Sequence, residues 1–471
     1  VEIPQKVKRI HMTAICGTGM GSLAGLLKEK EYEVSGSDAN VYPPMSDQLA
    51  ALGINVKIGY KPENLEPKPD LVIIGNAVPK TNPEVEAVLK QEIPYLSMPE
   101  AVEKLFLADR FPLVVAGTHG KTTTCGLLSW LLEETGQSPG FLVGGILQNF
   151  EKSYQLGTGD YFVIEGDEYD SAFFDKGPKF LHYHPQMLIL NAVEFDHADI
   201  YRNLDHLMEA FAKLVALMPP TGLIFACGDN PNTRKLVEKA PCRTILFGLD
   251  KKLPLHAENI RFGEKTRFQL FKDGKEAGEL TSPLPGRHNV QNLVAVAGLL
   301  LELGIPLKEI DQALAGFKGM KRRQEVLAEP NGVTIIDDFA HHPTAVLETL
   351  AALRGRYGAS RRLWAVFEPR SNTTRRKVFQ KDFESAFEPA DFVAIAPPYL
   401  LEKIPEEERF DPQQLADSLK KKGKNARYFP SVEAIVESIV KEASPGDVIC
   451  FMSNGGFGGI HQKVIQRLNE I

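Results

Sequence analysis

Phe111-Pro112-Leu113-Val114-Val115-Ala116 runs directly into Gly117-Thr118-His119-Gly120-Lys121-Thr122-Thr123-Thr124, and the order of these two pieces decides the fold. The first is a short apolar run with the length and branched content of a buried strand. The second is a glycine-rich turn that opens a helical pattern from Lys121 to Glu134. Backbone N–H groups of such a turn, at a helix N-terminus, cradle phosphates. Lys121 would reach the β- and γ-phosphates of a nucleotide, and the hydroxyl of Thr122 or Thr123 would bind Mg²⁺. The usual phosphate-loop spacing is GxxxxGK[ST]. Here it is GxxGKT, because Val115 stands where the first glycine would fall, and that shorter form belongs to a narrower set of ATP users. The plain alternative is a glycine-rich turn with a surface lysine.

Two further clusters follow strands downstream. Glu165-Gly166-Asp167-Glu168-Tyr169-Asp170 comes directly after the strand residues Tyr161-Phe162-Val163-Ile164. Its four carboxylates repel one another unless a cation is near, and Mg²⁺ prefers carboxylates, phosphate oxygens and water. Strand ends are where open α/β sheets bind ligands, so Glu165 and Glu168 are candidate metal ligands; a solvated acidic turn is the bland alternative. Asn191-Ala192-Val193-Glu194-Phe195-Asp196-His197-Ala198-Asp199 follows the strand Met187–Leu190. His197, flanked by Asp196 and Asp199, could hold a second Mg²⁺ or contact phosphate, against the alternative of a structural histidine.

Upstream, Cys16-Gly17-Thr18-Gly19-Met20-Gly21-Ser22 also sits between a strand and a helix. Gly17 and Gly19 would let the backbone approach a diphosphate, and Asp38 ends the next strand where a ribose-binding acid is expected. A nicotinamide-dependent dehydrogenase is therefore one reading. Against it, Ser22 replaces the third glycine of GxGxxG, and a diphosphate beside a ribose is also what a UDP-sugar carries.

These motifs fall in three blocks of an α/β chain: residues 1–109, 110–321 and 322–471. Strands alternating with helices imply parallel sheets with helices outside. Expected strands of the third block are Val333–Ile336, Arg362–Phe367, Phe392–Ile395 and Val448–Phe451, and the helix Asn289–Glu302 closes the second. A length of 471 residues suits two or three domains. The composition, 43% hydrophobic and 24% charged, is that of a globular chain. A net charge of −7 argues against a general nucleic-acid or membrane-surface binder. The five cysteines show no CxxC spacing, so neither a disulfide framework nor a zinc site is expected. The opening residues have no apolar core of a secretory leader, and the longest apolar stretch, Leu293–Leu301, is too short to span a bilayer. A cytoplasmic enzyme is the expectation, and a homodimer is compatible with it.

Three landmarks in this order, GTHGKTTT, EGDEYD followed by EFDH, and Gly286-Arg287-His288-Asn289-Val290-Gln291-Asn292, resemble the Mur ligases, which build peptides onto UDP-N-acetylmuramic acid. The resemblance covers nearly the whole chain. It implies a Rossmann-like first domain for the UDP-sugar, a central phosphate-loop ATPase-type domain and a Rossmann-like C-terminal domain that brings the amine. By the same resemblance the ATP site comprises Gly117, Thr118, His119, Gly120, Lys121, Thr122 and Thr123, with Asn289 and Asn292 near the adenine. Arg322, Arg323, Asp337 and His341 complete it toward ribose and phosphate. Gly17, Thr18, Gly19, Met20, Ser37, Asp38 and Asn76 would take the UDP-sugar. Lys121, Glu165 and His197 carry the catalytic roles, and Thr122, Glu165, Glu168 and His197 the metal roles. The stretch Asp337-Asp338-Phe339-Ala340-His341-His342-Pro343-Thr344 is similar to the DDYxHHPT stretch of the muramate-specific branch. The carbamylated lysine of some family members has no clear counterpart here.

Within that branch, four stretches look like the ligase that adds a recovered tripeptide rather than the one that adds L-alanine. They are Gly36–Ser46, Asp170–Lys176 with the insertion after it, Phe367–Thr373 and Ser453–His461. In the alanine-adding enzyme the third resembles FQPHRYTRT. Here it reads Phe367-Glu368-Pro369-Arg370-Ser371-Asn372-Thr373. Arg370, Ser371, Asn372, Thr373 and Asn454 are the candidates for holding the peptide, since an arginine fork suits a carboxylate. The implied reaction uses ATP and Mg²⁺ to phosphorylate the carboxylate of UDP-N-acetylmuramate, and the amine of L-alanyl-γ-D-glutamyl-meso-diaminopimelate attacks the acyl phosphate. The alternatives are the alanine-adding ligase, a dehydrogenase using the first block, and a nucleotide-gated binding protein. The last would have lost Lys121, Glu165 or His197, and all three are present.

Overall fold

A computed structural model describes residues 4, 6–41, 45–198 and 200–470, so Asp199 and part of the Gly36–Ser46 stretch lie outside the described residues. The chain forms two compact units assembled from interleaved segments. The first comprises Val1–Val193, Met208–Phe247 and Ala295–Ala313; the second comprises Glu194–Leu207, Gly248–Val294 and Leu314–Ile471.

The first unit opens with β1 (Arg9–Thr13), β2 (Glu33–Asp38), β3 (Val56–Ile58), β4 (Leu71–Ile74) and β5 (Tyr95–Ser97). They form a parallel sheet in the order β3-β2-β1-β4-β5. The order reverses between β1 and β4, and such a switch point opens a crevice at the strand C-termini. The first glycine-rich turn leaves β1 there and enters the helix Thr18–Glu29. Leu71–Ile74 is fully buried, which is why it reads as an unbroken apolar run.

The same unit then builds β6 (Phe111–Ala116), β7 (Gly140–Leu147), β8 (Lys152–Gln155), β9 (Tyr161–Gly166), the hairpin β10 (Asp170–Ala172) and β11 (Asp175–Pro178), β12 (Met187–Leu190), β13 (Leu223–Cys227) and β14 (Arg243–Gly248). The order is β14-β13-β12-β6-β9-β7-β8, so β6 is central. Its neighbours are parallel and in register: Val115 pairs with Glu165 on β9, and Ala116 pairs with Leu190 on β12. The acidic stretch after β9 and the stretch after β12 therefore leave the sheet on either side of the phosphate loop. Parallel pairing alone explains why motifs far apart in sequence meet there.

The first sheet docks on this one through specific contacts. Ser22 Oγ lies 2.6 Å from Ser153 Oγ on β8, and Lys152 pairs with Glu29 at 2.6 Å. The serine that breaks the GxGxxG pattern is thus a docking hydrogen bond. Phe174 of the β10–β11 hairpin packs edge-on against Tyr95 at 5.0 Å.

The second unit holds an antiparallel meander, β15 (Leu255–Arg261), β16 (Thr266–Lys272) and β17 (Lys275–Ser282). It also holds a six-stranded sheet in the order β18-β19-β23-β20-β21-β22. These strands are β18 (Glu325–Ala328), β19 (Thr334–Asp338), β20 (Leu363–Phe367), β21 (Phe392–Ile395), β22 (Asn425–Tyr428) and β23 (Val448–Met452). All pairs are parallel except β18 with β19. Each face packs its own apolar layer, one around Leu350, Phe383 and Phe410, the other around Ile435, Phe451 and Val464. The α/β class, with Rossmann-like sheets in the N-terminal and C-terminal parts of the chain and a phosphate-loop sheet between them in sequence, is as expected. The meander and the β10–β11 hairpin were not foreseen.

Candidate active site

The phosphate loop is held by its neighbours in the sheet. Gly117 has φ +123°, and a Cβ there would lie 2.9 Å from Asn191 Cβ and 3.0 Å from the Asn191 carbonyl carbon. Glycine is needed both for the backbone angle and for the approach. Thr118 N donates to Ala192 O at 2.9 Å, and Asn191 Nδ2 donates to His119 O at 3.1 Å. The helix then runs Lys121–Glu134, as the apolar pattern predicts.

Lys121 Nζ donates to Gly117 O at 2.7 Å and to Glu168 Oε2 at 3.0 Å. Burial works against the ammonium, but Glu168, Asp167 and Glu165 outweigh it and hold the lysine above its ordinary range, so it stays charged. Thr122 Oγ1 donates to Glu165 Oε1 at 2.9 Å, and Gly144 N donates to Glu165 Oε2 at 2.8 Å. Asp167 and Asp170 face Lys179 and Lys176 at 3.5 and 3.6 Å. The acidic run therefore has a partner for each carboxylate. Glu165 also joins the Thr122 hydroxyl in a hard-oxygen set, the chemistry that Mg²⁺ selects.

At the first turn, Asp38 accepts from Cys16 N and Asn40 N, both at 2.9 Å, and so fixes the chain as it leaves β1. Ser37 Oγ donates to the buried Glu84 at 2.7 Å, an acid to which the sequence reading gave no role. Asn76 donates to Asp170 O at 2.8 Å. Gly17, Thr18, Gly19 and Met20 form the cap and first turn of the helix.

The second unit gathers the other candidates. His197 has φ +57°, a conformation fixed by its N–H to Asp196 Oδ1 at 2.7 Å and by Tyr201 N donating to its carbonyl at 2.9 Å. Burial would raise the Asp196 carboxyl, but His197, His341 and His342 outweigh it and hold it at about 2. Burial lowers His341. Thr344 Oγ1 donates to Glu194 Oε2 at 2.8 Å, and His342 caps the helix Pro343–Tyr357. Arg322 donates to Asp337 at 3.2 Å and to the carbonyls of Ser453 and Gly455, both at 2.7 Å. The guanidinium of Arg323 lies 4.8 Å from the Phe339 ring. Asn289 donates to Pro285 O at 2.8 Å and stands beside Asn292, both buried.

Of the peptide candidates, Ser371 Oγ caps the Thr374 N–H, Asn372 Oδ1 accepts from Arg375, and Thr373 Oγ1 accepts from Ala198 N at 3.3 Å. Arg370 pairs with Glu368 at 3.4 Å and stacks on Tyr399. Asn454 Oδ1 is buried with no hydrogen-bond partner among the described residues, a group that a ligand N–H would satisfy. Glu368 and Tyr399 are the side chains that sequence reading passed over here. Glu368 stood within the quoted motif, whereas Tyr399 carries no local signal.

A largely enclosed lysine on a phosphate cradle, with carboxylates at the adjoining strand end, defines a nucleotide-using enzyme built on parallel α/β sheets. Three family profiles match the chain: Mur ligase family, catalytic domain, over 9–110; Mur ligase middle domain over 115–300; and Mur ligase, glutamate ligase domain, over 322–455. The chain belongs to the Mur ligase family, whose members are ATP-dependent ligases. It is 44% identical over 466 residues, 98% of both chains, to the UDP-N-acetylmuramate–L-alanyl-gamma-D-glutamyl-meso-2,6-diaminoheptandioate ligase of Escherichia coli K12. Among solved structures it is similar to a murein peptide ligase from Psychrobacter arcticus, with 36% identity, TM-score 0.72 and coverage of 98% and 99%. It is also similar to the UDP-N-acetylmuramate–alanine ligase of Thermotoga maritima, with 25% identity, TM-score 0.81 and coverage of 99% and 100%. The two scores rank these neighbours oppositely. Both branches share the fold, so side-chain identity is the better guide to substrate. Among the described residues no helix is long and apolar enough to cross a membrane.

Proposed function

We propose that this chain joins the lactyl carboxylate of UDP-N-acetylmuramate to the amine of L-alanyl-γ-D-glutamyl-meso-diaminopimelate, with ATP as co-substrate, in cytoplasmic recycling of peptidoglycan. The observation that carries this reading is the 44% identity across 98% of both chains to a ligase whose name states those substrates. Residues 1–109 serve the UDP-sugar, 110–321 the ATP and 322–471 the peptide.

A carboxylate at neutral pH is a poor electrophile with a poor leaving group. Transfer of the γ-phosphoryl group of ATP to the carboxylate oxygen gives an acyl phosphate and ADP. The peptide amine then attacks the acyl carbon, the C–N bond forms as the C–O bond breaks, and phosphate departs with the oxygen. Lys121 swings from Glu168 to the transferring phosphoryl group and offsets its charge. The loop N–H groups orient the phosphates. Thr122 and Glu165 would hold Mg²⁺, with Glu168 beside them and His197 the donor proposed for a second ion. The metal would supply charge neutralisation on the phosphate oxygens. Arg370 and Asn454 receive the peptide. Exclusion of water protects the acyl phosphate from hydrolysis.

The higher TM-score to the alanine ligase keeps a second reading in play, with L-alanine as the amine. One assay separates the two. Purified protein is incubated with ATP, Mg²⁺ and UDP-N-acetylmuramate, with either L-alanine or the tripeptide, and phosphate release is followed. Release with the tripeptide alone, and a UDP-linked tripeptide by mass, is the expected result. Release with L-alanine alone would replace it with the second reading, and silence with both would overturn both.

A further inference from the structure

Glu368-Pro369-Arg370 follows the end of β20, and Ser453-Asn454-Gly455 follows the end of β23. The strands pair in parallel through Phe367 and Met452, so the two loops leave the sheet side by side. Glu368 is 5% exposed, and it accepts from Ser453 Oγ and from Arg370 Nη1. The Arg370 guanidinium carbon lies 3.7 Å from the centroid of the Tyr399 ring. On another flank is Gly455, where a Cβ would overlap Nε, Cδ and Cζ of Arg370 and nothing else nearer. The guanidinium thus lies in a slot made by an aromatic face, a bare glycine and a buried carboxylate.

The slot does not exhaust the arginine. Among the described residues its one hydrogen-bond acceptor is Glu368 Oε1, and its side chain is 24% exposed. Nε and Nη2 therefore remain for a ligand. Arg375, five residues on, is used differently. It donates to the carbonyls of Tyr399 and Leu400 at 3.2 and 3.0 Å and to Asn372, and so ties the Tyr399 loop to the turn that carries Arg370. A planar fork held in one orientation binds a carboxylate with less loss of rotamer freedom than a mobile one.

We infer that Tyr399, Gly455 and Glu368 are positioning residues that seat Arg370 to receive a carboxylate of the peptide substrate. The inference rests on the reading that Arg370 binds that peptide. Glu368 supplies the anchoring charge, Tyr399 supports the face of the guanidinium, and the missing side chain at 455 leaves it room.

The test compares Arg370→Ala, Gly455→Ala, Tyr399→Leu and Tyr399→Phe in the full chain. Thermal melts establish folding, and kcat and KM are measured for tripeptide, ATP and UDP-N-acetylmuramate. Gly455→Ala and Tyr399→Leu are expected to raise the tripeptide KM roughly tenfold, with the other two KM values unchanged. Tyr399→Phe keeps the ring and should stay within about twofold of the native protein. If Arg370→Ala raises the tripeptide KM while Gly455→Ala and Tyr399→Leu do not, the positioning role falls and the substrate reading stands. If Arg370→Ala leaves that KM unchanged, the reading of Arg370 falls and takes this inference with it. Equal impairment in Tyr399→Phe and Tyr399→Leu, or a parallel rise in the KM for ATP, also overturns it.

Discussion

Lys121 Nζ sits 3.0 Å from Glu168 Oε2, with the glutamate side chain fully buried. The pair stores the lysine beside the place where phosphate would arrive, still charged. Exchange of one anion for another costs less than bringing a mobile lysine in from solvent. Lys121→Ala should therefore lower kcat by on the order of 10²-fold or more. It should also destabilise the protein by about 3–5 kcal/mol, because Glu168 loses its cation in a dry site. Phosphate release measured well below the variant's melting temperature separates the two effects. Near-native turnover in the folded variant would remove Lys121 from the chemistry.

Glu165 accepts from both Thr122 Oγ1 and Gly144 N, so glutamine at this position keeps the shape while losing the charge. Glu165→Gln is expected to raise the Mg²⁺ concentration for half-maximal phosphate release by about tenfold or more. The KM for ATP at saturating Mg²⁺ should move much less. A Mg²⁺ titration identical to the native one would exclude Glu165 as a ligand.

Gly117 supports a stability prediction that needs no substrate. At φ +123° the backbone is in a region that side chains avoid, at a cost of about 1–3 kcal/mol before any collision. A methyl group would also press on Asn191, whose amide holds the loop through His119 O. Gly117→Ala should lower the free energy of unfolding measured in urea by that amount or more, and abolish ATP-dependent phosphate release. A variant with native stability and turnover would mean that the loop relaxes without consequence.

How much was legible can be argued from particular residues. Phe111–Ala116 and Lys121–Glu134 were readable because an apolar strand, a glycine turn and a helix need no tertiary context. The closeness of the acidic cluster to the phosphate loop was readable because both follow strands of one parallel sheet, and the β6–β9 register supplies the proximity. The meander was missed because its strands bury one face only: on β16, Phe268 and Leu270 are buried while Arg267 is exposed. Its one strong signal is the Asp273-Gly274 turn, with φ of 52° and 74°. Tyr399 and Glu84 were missed for another reason. Each acts through a residue distant in sequence, Arg370 in one case and His11 in the other, and no local pattern encodes such a pairing.

Glu84 provides a pH test of the first sheet. It is fully buried and lies 3.1 Å from His11 Nε2, while Thr13 Oγ1, Ser37 Oγ and Asn64 Nδ2 donate to it at 2.7, 2.7 and 2.8 Å. Burial pushes its carboxyl up, but the hydrogen bonds and charge of His11, then those of Ser37 and Thr13, hold it below the ordinary glutamate range. A carboxyl depressed by folding stabilises fully above its unfolded pKa of about 4.3, and that contribution is lost as pH falls toward the folded value. Native stability should therefore decline below about pH 4.3 with a slope that Glu84→Gln reduces. Unfolding midpoints of both proteins across that range give the comparison, and superimposable slopes would exclude Glu84 as the source. The same variant has a functional signature. Ser37 donates to Glu84, and the adjacent Asp38 fixes Cys16 at the start of the glycine turn. At neutral pH, Glu84→Gln should thus raise the KM for UDP-N-acetylmuramate while leaving that for ATP unchanged, because the strain enters at β2 and not at the phosphate loop.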